Sequence, residues 1–109
     1  MDDAPEPHIT LHPHSRQAQV IIDGTLLADT THPVELRERG YPPRQYIPRD
    51  DVRMGLLTLS ETVTHCPFKG DARYFSFGEH KDVAWSYQRP KEGMEAIAGM
   101  LAFYEGVSE

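Results

Sequence analysis

The chain has one cysteine, Cys66, in 109 residues. A lone thiol excludes an internal disulfide, and without any C-x-x-C pair there is no ligand set for structural zinc. No apolar run approaches the roughly 20 residues that span a bilayer, so no membrane partner is expected. Basic residues are also few: eleven Lys and Arg face seventeen Asp and Glu, a formal charge of −6. Nucleic-acid binding draws its affinity from clustered Lys and Arg, so no nucleic-acid partner is expected. An anionic ligand could still meet a local basic spot. Long helices are discouraged by nine prolines and eight glycines.

What is present suits a soluble globular protein, with 39% hydrophobic and 26% charged residues. The length fits one core, and roughly 60–70% of the unfolded surface can be buried without staples. The N-terminal "MDDAPEPH" is acidic and Pro-rich, the opposite of a targeting peptide. The expected location is the cytoplasm. An N-terminal extension, partly strand, is expected over 1–15, ahead of a single β-rich domain over 16–109.

"QAQVIIDGTLLADT" reads as a hairpin around a type I′ turn at Asp23-Gly24. "RYFSF" and "DVAWSYQ" read as a second hairpin, joined by Gly78-Glu79-His80-Lys81 and central in a sheet. Strand alternation sets Ala72, Tyr74 and Ser76 on one face of its first arm, and Val83, Trp85 and Tyr87 on one face of the second. "PRDDVRM" predicts a helical turn capped by Asp50. Met94, Ile97, Ala98 and Leu101 fall at helical spacing, with Gly99 weakening the helix so that its last residues can return as a strand. The expected fold is mainly β: a compact antiparallel domain with one or two short helices.

Four stretches together resemble a known bacterial family: "QYIPRDDV", "L-x-x-S-x-T-x-T-x-C-P-F-K-G-D-A-R-Y", "DVAW-S-Y-x-x-P" and "I-A-G-M-L-A-F-Y". The chain is similar, from about Val20 to Val107, to the domain of unknown function 427 family, also labelled nucleotidyltransferase-like. The resemblance implies a tent-like sheet related to Mss4 and methionine sulfoxide reductase B, and no established activity. Relatives of that architecture often hold zinc through two C-x-x-C pairs, which this chain lacks, so no metal or other cofactor is expected. The nucleotidyltransferase label finds no support. That chemistry needs metal-holding carboxylates at alternating positions and a Gly-Ser phosphate contact. Asp50 and Asp51 are adjacent and Gly-Ser is absent.

The chemistry-bearing residues gather around "THCPFKGDARY". Pro67 keeps Cys66 extended and Gly70 permits a tight connection, so "CPFKG" links two strands. Cys66 reads either as a nucleophile or redox centre, or as a small buried apolar thiol. Neighbouring residues of a strand point apart, so His65 is not its partner. Lys69 beside the glycine turn suits a carboxylate or phosphate, unless it is solvated or paired with Asp71. Tyr46, Tyr74, Trp85, Tyr87, Phe103 and Tyr104 come from distant segments that strand pairing can gather, as core or as ligand wall. An exposed part of that group would suit a planar or cationic ligand. His12 and His14 share one face of an extended segment, the spacing of a metal-chelating pair, near a terminus that favours solvent.

The leading expectation is a ligand-binding domain whose pocket is bordered by the "CPFKG" turn and aromatic strands. Lys69 would meet the polar end of a small molecule, with Tyr46, Tyr74, Trp85 and Tyr87 meeting its flat or apolar part. The alternatives are an enzyme using Cys66, and a pocket-free module recruiting a protein through a sheet edge. The sequence carries no signal of oligomeric state.

Overall fold

Asp23 and Gly24 reverse the chain between β2 (Ala18–Ile22) and β3 (Thr25–Thr30) with φ of 51° and 76°. Two central residues at positive φ make the type I′ turn that the Asp-Gly pair predicts. The computed structural model describes residues 8–109. Its other strands are β1 (Ile9–Pro13), β4 (Val34–Glu38), β5 (Arg44–Tyr46), β6 (Thr58–Cys66), β7 (Gly70–Phe77), β8 (His80–Tyr87), β9 (Leu101–Phe103) and β10 (Val107–Ser108). They form three antiparallel sheets: β1-β4-β5, β10-β2-β3 and β6-β7-β8-β9. The chain is mainly β, as expected.

The second hairpin is the centre of the four-stranded sheet, β7 and β8 being its inner strands. Its turn is the pair Gly78-Glu79, because His80 and Lys81 already belong to β8. Tyr74 opposes Trp85 and Ala72 opposes Tyr87, so these four share one face. They pack with Val34, Leu36 and Tyr46 of the β1-β4-β5 sheet. On the other face Phe75, Ala84, Leu101 and Phe103 pack with Val20, Ile22 and Leu27 of the β2-β3 hairpin. The four-stranded sheet is thereby covered on each face by a different sheet. Fully burying each large side chain here contributes roughly 1.5–3 kcal/mol.

Backbone bridges stitch the sheets together. Ile47 and Leu101 exchange two N–H···O bonds of 2.8 and 2.9 Å, joining the end of β5 to β9. Arg53 N donates to Leu27 O at 2.8 Å and ties the following segment to β3.

Three expectations are corrected. The helix expected from Met94 shrinks to one 3₁₀ turn, Glu95–Ile97. Gly99 N donates to Tyr87 O, not to the carbonyl four residues earlier, and the chain leaves the helical path to form β9. The turn at "PRDDVRM" exists as a 3₁₀ turn, Arg49–Asp51, but Asp50 lies inside it and no side chain caps it. Val83 leaves the Trp85 face and joins the other core beside Ala84. Asp82 sits at φ 54° and the β7–β8 register shifts between Phe75 and Phe77, so simple alternation fails there.

Candidate functional site

The "CPFKG" connection is where β6 becomes β7, with Cys66 opposite Gly70 in the ladder. Pro67, Phe68 and Lys69 form the turn. Gly70 adopts φ 114°, and a Cβ there would stand 3.2 Å from Arg89 O. Glycine is required both for the torsion and for this close approach. Lys91 N donates to Lys69 O at 2.9 Å, holding the segment after β8 against the turn. Alternation along β6 sends Cys66 and His65 to opposite sides, as predicted. Cys66 packs half-buried against the aromatic core, whereas His65 Nδ1 lies 2.6 Å from Asp71 Oδ1 on the exposed side.

Cys66, Lys69, Tyr46, Tyr74, Trp85 and Tyr87, the six residues singled out in the sequence, all line one cavity of about 360 Å³. Its floor is aromatic. Trp85 Nε1 donates to the Tyr46 hydroxyl at 2.9 Å, and the two rings meet edge to face with centroids 6.3 Å apart. That geometry suits the quadrupoles of both rings and uses the indole N–H, a donor that burial would otherwise strand. The Trp85 ring also lies 4.3 Å from that of Tyr104. Trp85 is 7% exposed, so it serves as core and cavity wall together.

Charged groups close the rim. Lys69 Nζ lies 2.8 Å from Glu38 Oε1, and both side chains are nearly buried. This replaces the Asp71 pairing considered for Lys69. The Lys69 ammonium also stands 5.8 Å from the Tyr87 ring. His8 Nε2 approaches the other Glu38 oxygen at 3.3 Å. The Arg44 guanidinium sits 5.5 Å from the Trp85 ring and 5.4 Å from the Tyr104 ring. Two cations thus face one carboxylate, leaving the lining with one excess positive charge.

Burial pushes the Tyr46 and Tyr87 phenols above the ordinary tyrosine value. Tyr104 is pushed up to about 12, first by burial and then by its neighbour Tyr74. Removing a phenol from water disfavours its anion. These hydroxyls therefore stay neutral near pH 7, able to donate and to accept.

Other expectations fall elsewhere. Phe103 belongs to the opposite core with Val20 and Leu27. Asp51 accepts a hydrogen bond from Thr30 Oγ1 at 2.7 Å, a structural tie remote from the cavity. His12 and His14 do not meet at a common point: His12 bonds Thr10 and His14 bonds Gln45. The ring of His14 does come within 4.8 Å of carboxylate oxygens of Glu35 and Glu109. Those carboxylates are already engaged. Arg37 and Gln45 hold the Glu35 carboxyl below its ordinary range, and Arg16 reaches both acids.

Glu38, Arg44, Tyr41 and Leu36 line the cavity without having been singled out in the sequence. Leu36 and Arg44 are partners in the β4–β5 ladder. The available signal was the extended "YPPRQY", where prolines hold a strand-like path ahead of Tyr46.

A family model described as a domain of unknown function, DUF427, matches residues 10–109. The chain belongs to that family. No curated protein matches it.

Proposed function

We propose, for a member of a family without an assigned activity, that this domain binds a small planar molecule carrying one anionic group. The observation that carries the reading is the cavity itself: aromatic floor, excess positive rim, and side chains drawn from β4 through β8. Arg44 already occupies the cation position over Trp85 and Tyr104, so a cationic guest would meet repulsion there. A ligand ring would lie against Tyr46, Tyr74 and Tyr87 while its carboxylate or phosphate meets Arg44 and Lys69. Neutral tyrosine hydroxyls supply the remaining polar contacts.

Titration of benzoate, benzamide and benzylamine against the emission of Trp85, the single tryptophan, tests this. Benzoate is expected to quench Trp85 saturably and raise the melting temperature, benzamide to act more weakly, and benzylamine not to bind. An absence of response to all three, or preference for the amine, would overturn it.

The finer fold reading, a bacterial tent-like sheet related to Mss4 and methionine sulfoxide reductase B, rests on the sequence resemblance. Two antiparallel sheets packed on the two faces of a third support it. A cytoplasmic location is supported by the single free thiol of a small domain built without disulfides.

A further inference from the structure

On the other side of the "CPFKG" turn, the four-stranded sheet carries a second hollow, of about 530 Å³, lined among others by His65, Asp71, Arg73, Arg89 and Lys91. Three cations and one carboxylate converge there, in a chain whose overall charge is −6. Asp71 is held by His65. Five cations elsewhere are engaged: Arg16 and Arg37 with Glu35, Lys69 with Glu38, Arg44 with two rings, and Arg49 with Gly99 O. Among the described residues, no hydrogen bond or ion pair engages the side chains of Arg73, Arg89 or Lys91, and Arg73 Nε is a buried donor without a partner.

A buried N–H left unpaired costs roughly 1–3 kcal/mol, and gathering three like charges adds repulsion. The repulsion is relieved if an oxyanion sits in the hollow. The framework sets where the three side chains start. Arg73 lies on β7 between Val63 of β6 and Ser86 of β8. The backbone at Arg89 and Lys91 is held by the approach of that segment to Gly70 and by the Lys91 N to Lys69 O bond.

We propose that this hollow is an anion site for a phosphate dianion, free or as the end group of a small ester, with the Arg73 side chain supplying positive charge from the sheet and Arg89 and Lys91 closing from the exposed side. A dianion matches the surplus of two positive charges that the three cations leave over Asp71. The site is independent of the aromatic cavity, which opens on the opposite face of the sheet. It is also a local basic spot of the kind that the acidic composition leaves open, too small for a polyanion track.

The test is titration with inorganic phosphate and, separately, phenyl phosphate at constant ionic strength, following the Arg73 Nε–H resonance by NMR. Saturable shifts of that resonance with either probe are expected, and tighter binding of phenyl phosphate would identify an ester as the favoured form. Arg89→Gln and Lys91→Gln, both at exposed positions and safe for folding, should each weaken binding about tenfold. Arg73→Gln should abolish the Nε–H response, but the exposed pair decides the matter if that variant fails to fold. Shifts that never saturate, or unchanged affinity in both exposed variants, would overturn the proposal.

Discussion

Lys69 Nζ and Glu38 Oε1 stand 2.8 Å apart across 31 positions of sequence, with side chains only 13% and 12% exposed. The bond fastens the turn after β6 to the end of β4, and so fastens one sheet to another at the mouth of the aromatic cavity. Removing one partner strands a nearly buried charge. Lys69→Met or Glu38→Gln is expected to cost about 2 kcal/mol, less than a fully buried pair because both groups keep some water. The double variant should recover part of that loss. Urea unfolding of the two single variants and the double variant checks this; equal, additive losses would mean that the two charges are not coupled.

Arg44 lies against both Trp85 and Tyr104. Replacing it with Gln removes the charge and much of the packing over the indole. A loss of about 1 kcal/mol in stability is expected, in the range of a partly desolvated cation–π contact. Because the domain holds one tryptophan, its fluorescence reports on this site alone. Trp85 emission should shift to the red as water reaches the ring, and benzoate affinity should fall with it. An unchanged spectrum would show that the guanidinium does not shield the indole.

Much of this arrangement is legible along the chain, and the misses have physical causes. Asp23-Gly24 dictates its turn because two positive φ values are demanded of adjacent residues. Alternation gathers Ala72, Tyr74, Trp85 and Tyr87, since each strand there runs regularly through the ladder. Alternation fails at Val83, one residue after Asp82 takes a positive φ, because periodicity cannot see a bulge. Arg44 and Glu38 stay hidden for another reason. Arg44 sits on a three-residue strand, too short to leave much pattern, and Glu38 is placed by the pairing of β4 with β1, where it opposes Ile9. The expected helix after Met94 fails because its apolar spacing also serves a turn followed by a strand, and pairing of β9 with β8 decides between them.

His80 lies between two acids, its Nε2 2.5 Å from Asp23 Oδ2 and its Nδ1 3.4 Å from Glu105 Oε1. The hydrogen bond to Asp23 is the largest influence raising its pKa above the ordinary 6.5. A histidine with a higher pKa in the folded state stabilises that state when protonated. The contribution is fully present below pH 6.5, where the unfolded chain is also protonated, and is lost as pH rises through the folded value. Urea midpoints measured from about pH 6 to 9 should therefore decline for this reason, and Asp23→Asn should flatten the decline. A slope unchanged in Asp23→Asn would assign the dependence to another group.

Gly70→Ala tests the joint between the two cavities. An alanine at φ 114° is strained, and its Cβ would press on Arg89 O at 3.2 Å. A destabilisation of about 1–3 kcal/mol is expected, with the segment carrying Arg89 and Lys91 displaced. Phosphate binding should weaken more than benzoate binding, because the aromatic floor is anchored by β7 and β8 themselves. Equal loss at both sites would mean that the turn moves as one body.

Cys66 decides between a binding cavity and a reactive one. It ends β6, lies half-buried against the aromatic core, and shares the cavity with Lys69 and Tyr87. No histidine is among the lining residues, and the carboxylate present, Glu38, is committed to Lys69 and His8. A nucleophilic thiol generally relies on an adjacent base or a strongly favourable charge to hold it as thiolate. The thiol is placed to report on whatever fills the cavity. Alkylation of Cys66 by iodoacetamide should slow about tenfold when benzoate is present at ten times its dissociation constant, because only the unoccupied form reacts. Cys66→Ser should bind benzoate with nearly the same affinity, since a hydroxyl keeps the contour of the wall. Full reactivity in saturating benzoate would separate the thiol from the binding site. A Cys66→Ser variant that no longer binds would make the sulfur itself the recognised group.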